Sequence, residues 1–209
     1  MKKTILFLLL ISGFVFGQNI NDAKALLKQN PESYEAKKIL DKIVSQEPNN
    51  AEAYYIIAEY YHKKGMSNYV RNNMEKAIKL APDNLDYRWF RAYSVGAGST
   101  NKEQLDTAIG DLHYILDKGQ ETGKLYFLLG RLYIDRARVQ KFNFKPNENK
   151  SFSDDNSQKE KSIAENDAKV KEMLQKAQNY LIKSKEIANT DIGLYIVEIE
   201  RLLKLIHAN

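Results

Sequence analysis

Ala51 to Asn84 reads AEAYYIIAEYYHKKGMSNYVRNNMEKAIKLAPDN, and the spacing within it decides the fold. Tyr54, Ile57, Ala58 and Tyr61 fall at i, i+3, i+4 and i+7, which puts them on one face of a helix. Val70, Met74, Ala77 and Ile78 form a matching apolar stripe further on. Gly65 lies between the two stripes, where a positive φ can end the first helix. Ala58 is small, as a helix needs where its partner crosses closely. Asn50 and Asn84 each stand one residue before a helical pattern and are suited to cap it. The expectation is a helical hairpin, and the hairpin recurs. Pro48-Asn49-Asn50 returns as Pro82-Asp83-Asn84, Tyr55 as Trp89 and Ala58 as Ala92, each 34 residues later. A fixed period of that length marks an array of helix–turn–helix units.

The pattern extends both ways. Upstream, Ile20, Ala23, Lys24 and Leu27 occupy first-helix sites, and Ala36, Leu40 and Ile43 occupy second-helix sites before Pro48. Lys24 breaks the small-residue pattern. Downstream, Leu85, Trp89, Ala92 and Val95 start a third unit. Its turn, Gly96 to Asn101, is longer than the earlier one, and Asn101 can cap a helix carrying Leu105, Ala108, Leu112, Ile115 and Leu116. A fourth unit opens near Gly123 with Tyr126, Leu129, Gly130 and Tyr133. Gln140 to Lys161 then loses all periodicity, which predicts a mostly disordered insert. Ser162 and Glu165 have capping-box spacing. A helix is expected beyond them, on Val170, Leu174, Ala177, Leu181 and Ser184. A last amphipathic helix, Ile192 to His207, is expected to cover the end of the array.

The segment 51–84 resembles the tetratricopeptide repeat (TPR). Tyr54 stands at the large aromatic site, Ile57-Ala58 at the Leu-Gly site and Tyr61 at the tyrosine site. Gly65 stands at the turn, Ala77 at the second small site and Pro82 at the closing proline. Val70 and Met74 depart from the usual small and aromatic residues but stay apolar. The resemblance implies an all-α, right-handed solenoid of about four repeats, at 17–50, 51–84, 85–122 and 123–190, with an insert at 140–161 and a capping helix at 192–207. It also implies a concave groove lined by the first helices. That assigns Tyr55, Ile56, Glu59 and His62 to the groove in the second repeat, Trp89, Phe90 and Tyr93 in the third, and Phe127, Leu128 and Arg131 in the fourth. Tyr55, Trp89 and Phe127 are equivalent positions and would form an aromatic ladder. The carboxylate clamp of chaperone-tail binders is not matched, because its Lys and Asn sites are Asn21 and Ala25 here.

Composition narrows the function class. Cysteine is absent, which excludes disulfides, Cys-ligated metals and thiol nucleophiles. Met1-Lys2-Lys3 followed by the apolar run Thr4 to Phe16 has the form of a secretory signal peptide, 1–17, cleaved after Gly17. The run is too short to span a membrane, so no stable membrane span is expected after cleavage. Removal of two lysines takes the formal charge from +5 to +3. The remaining lysines are dispersed, and nucleic acid is not an expected partner. His62, His113 and His207 lack helical zinc-site partners, and Gly96-Ala97-Gly98 follows a helix rather than a strand. No nucleophile, phosphate-loop or kinase motif occurs. The expectation is a non-catalytic, exported, periplasmic or cell-surface module, without cofactor or metal, that takes a protein or peptide partner within an envelope assembly. One alternative is a structural or regulatory subunit whose groove its own insert fills; another, carrying less weight, is an enzyme of unknown class.

Overall fold

The computed structural model describes residues 20–146 and 155–207. The expected signal peptide, 1–17, lies outside the described residues. Among those described, the fold is all-α, without a strand. By contacts the chain divides into two compact units, the first ending at Ser94 and the second beginning at Val95.

The first unit holds α1 (20–29), α2 (Tyr34–Gln46), α3 (Ala51–Lys63), α4 (Ser67–Leu80) and α5 (Leu85–Arg91). Its helix starts follow the capping chemistry of the sequence. Asn50 Oδ1 accepts the Ala53 N–H at 3.0 Å and Asn84 Oδ1 that of Tyr87 at 3.1 Å. Gly65 ends α3 with φ +68°, a conformation that costs a glycine nothing. Ala23, Ala36, Leu40, Ile43, Ile56 and Ile57 form a continuous core under α1, α2 and α3. The other face of α3 meets α4, where Tyr61 stacks on Tyr69 with centroids 4.6 Å apart. Val70 and Met74 are fully buried there.

The third expected unit differs from its prediction. After Arg91 the helix widens into a π-helical turn, Ala92–Gly96, and the division between the two compact units falls within that turn. The expected loop from Gly96 therefore begins one residue later. Gly96 itself makes a close approach, since a Cβ there would lie 2.3 Å from that of Ala108.

The second unit holds α6 (Lys102–Asp117), α7 (Gly123–Asn143), α8 (Asp155–Ala188) and α9 (Gly193–His207). Asn101 and Thr122 cap α6 and α7 by accepting the N–H three residues on. α7 and α8 form a long hairpin clasped at both ends. Ser184 Oγ donates to the Gly123 carbonyl at 2.8 Å. At the far end Gln140 donates to Asn166 at 2.7 Å and Lys141 to Asp167 at 2.9 Å. Between them Gly130 lies against Leu181 and Ala177. α9 closes over Ile134, Val170 and Leu174 with Ile199 and Leu202.

The insert expected at 140–161 is shorter. α7 continues to Asn143 and α8 already runs from Asp155. Residues 147–154 lie outside the described residues. Ser162 is consequently not an N-cap but an interior helical residue, and its hydroxyl donates back to the Lys159 carbonyl at 2.8 Å.

Candidate functional site

α3 is thirteen residues long and presents three stripes. One faces α4. A second, Glu52, Tyr55, Ile56, Glu59, Tyr60 and Lys63, lines a groove of about 390 Å³ opposite Lys24, Leu27 and Lys28 of α1 and Pro31 beyond it. The third runs through Tyr55 and His62 toward the rings of α5. Tyr55 belongs to both of the last two, so its position sets the wall of the groove.

That wall is well fixed. The Tyr55 hydroxyl donates to Glu59 Oε1 at 2.9 Å. Its ring stacks on Tyr87 at 4.8 Å and meets Phe90 edge-on at 5.3 Å. Burial, followed by the Glu59 charge, pushes the phenol well above the ordinary tyrosine range. His62 meets Phe90 and Tyr93 edge-on at 5.5 and 5.8 Å. The Tyr55–Tyr87 and Tyr55–Phe90 pairs each add about 0.5–1.5 kcal/mol beyond simple area burial.

The charged rim is unevenly paired. Lys24 Nζ contacts Glu52 at 2.5 Å, and Lys64 lies 3.7 Å from Glu32 and over the Tyr60 ring. Glu59 accepts the Tyr55 hydroxyl through Oε1 and keeps its charge. Lys28 and Lys63, both exposed, have no acidic partner among the described residues.

The expected groove residues divide between the two units. Tyr55, Ile56 and Glu59 line the groove, Ile56 as a buried floor with 3% exposure. His62, Phe90 and Tyr93 form the ring cluster behind Tyr55 and are not part of its lining. Trp89 is half-buried on α5 and also lies outside the lining. In the second unit Phe127 is covered edge-on by Tyr195 of α9 at 5.1 Å. Leu128 is buried, because α7 packs against α6, α8 and α9 and has little free face.

Arg131 lines a second hollow, of about 400 Å³, where it lies over the Tyr195 ring at 6.0 Å. There Glu198 accepts from Arg138 at 2.9 Å and from Nε and Nη2 of Arg201. Those bonds, the Arg201 pair foremost, hold the Glu198 carboxyl down at about 2.

The sequence reading missed the α1 side of the first groove. Lys24, Leu27, Lys28 and Pro31 repeat the i, i+3, i+4, i+7 spacing found in α3, and that shared spacing was the available signal. Among the described residues no helix is long and apolar enough to cross a membrane, and no group of three or more His, Asp or Glu is placed to hold a metal ion. Comparison of the chain with protein-family models, with curated proteins and with solved structures gives no match.

Proposed function

We propose that the protein is a non-catalytic interaction module of the TPR type, exported from the cell, which binds a peptide or protein segment within an envelope assembly. The observation that carries this reading is the groove between α1 and α3, with Tyr55 held rigid in its wall. An aromatic wall that is already ordered offers contact area at low entropic cost to a binding segment. The helical hairpins α1/α2, α3/α4 and α7/α8, each of two consecutive helices, support the repeat reading. The signal-like segment at 1–17 supports export.

A peptide array probed with the purified protein tests this function. Peptides retained by the wild type should be lost by Tyr55→Ala, with a drop in affinity of about ten-fold or more, as for a hot-spot aromatic. Retention unchanged by Tyr55→Ala would remove the groove from the binding function.

A further inference from the structure

Resting on the groove reading above, we infer that the segment it accepts is acidic, and that its side-chain carboxylates are taken by Lys28 and Lys63 on opposite banks. Three lysines and two glutamates line the groove. Glu52 is paired with Lys24, while Glu59 accepts the Tyr55 hydroxyl through one oxygen and keeps its charge. Lys28 and Lys63 together outweigh that one carboxylate, so the groove presents a net positive charge to a ligand. Each stands beside apolar surface, Lys28 next to Leu27 on α1 and Lys63 on the same stripe of α3 as Ile56 and Tyr60. An acidic peptide with one apolar or aromatic side chain matches both features. Its carboxylates meet cations at the rim and its apolar group meets Ile56 and Tyr55. Neutral or basic segments would leave the lysines unmatched or repelled, so the charge pattern selects between partners as well as attracting one. This differs from a chain-end carboxylate clamp, since it uses neither Asn21 nor Ala25 and needs no free C-terminus.

The probe is a short acetylated and amidated peptide of glutamates around a central phenylalanine, compared with its counterpart carrying glutamine in place of glutamate. The acidic peptide should bind more tightly, and added salt should weaken it toward the neutral one. Lys28→Ser with Lys63→Ser should weaken the acidic peptide by roughly ten-fold and leave the neutral peptide unchanged. Both side chains are exposed, so the variant should keep its helicity and melting temperature. The corresponding Lys→Arg pair should retain binding. Equal affinity for the two peptides, with both weakened by Tyr55→Ala, would overturn the acidic assignment while leaving the groove reading intact. No binding of either peptide at millimolar concentration would overturn the acidic assignment, while array peptides lost by Tyr55→Ala would still uphold the groove. Equally effective displacement of the peptide by an oligonucleotide of the same charge would make the surface a general polyanion patch and overturn the proposal. So would binding that required a free C-terminal carboxylate.

Discussion

Gly130 and Gly110 are both helical glycines, yet they should respond in opposite ways to one methyl group. A Cβ at Gly130 would meet Leu181 Cγ at 2.6 Å and the Ala177 carbonyl oxygen at 3.2 Å. A Cβ at Gly110 would meet nothing within 4 Å. Gly130→Ala should overpack the α7–α8 crossing and destabilise by about 1–3 kcal/mol. Gly110→Ala should stabilise by roughly 1 kcal/mol through helix propensity alone. Chemical denaturation of the two variants measures both signs, and a stable Gly130→Ala protein would mean that the crossing is looser than described. At this scale the sequence was informative wherever a residue type has one physical job. Ala58 was expected to be buried and is fully so. The three Asn caps were expected and form the expected bonds. Leu128 was misread because the face of a helix in sequence does not reveal how many neighbours surround it.

Among the elements, α8 was the least legible. Its first residues, Asp155 to Lys161, are polar, and the periodicity signal depends on apolar residues. Gln, Lys and Glu are nonetheless good helix formers, and such a stretch can be helical without burying a stripe. The π-helical turn at Ala92–Gly96 was equally hidden, because a single wide turn of five residues is too short to register as a change of period. α9 offers a test of electrostatics. Glu198 joins it to α7 through Arg138, and its carboxyl is held far below the ordinary value. A depressed folded value means that the contribution to stability is present above about 4.5 and is lost as pH falls toward about 2. Glu198→Gln should thus lower the melting temperature at neutral pH, and the gap from wild type should close as the solution is acidified through that window. A gap independent of pH would show that the charge on Glu198 is not what stabilises the contact.

For the whole molecule, the period of 34 residues continues from Ala58 to Ala92, although the division between compact units falls only a few residues after Ala92. Periodicity reports which faces are apolar and is blind to where packing thins. The same limit kept the groove residues Tyr55 and Phe127 on one expected ladder although they belong to different units. Export is the prediction at this scale. Intact-mass analysis of the protein recovered from an expressing bacterium should give a chain beginning at Gln18, whereas Met1 retained in a membrane fraction would indicate an uncleaved anchor.

The clasped hairpin of α7 and α8 has a practical consequence. Its register is set from within the helices, by Ser184 on the Gly123 carbonyl at one end and Lys141 on Asp167 at the other. The alignment of the two helices does not depend on the length of the connection between them, and doubling that connection costs only about 0.6 kcal/mol in closure entropy. The hairpin is in effect a socket. An epitope, a fluorescent reporter or a whole foreign domain spliced into the join should leave the helices on either side with the same partners.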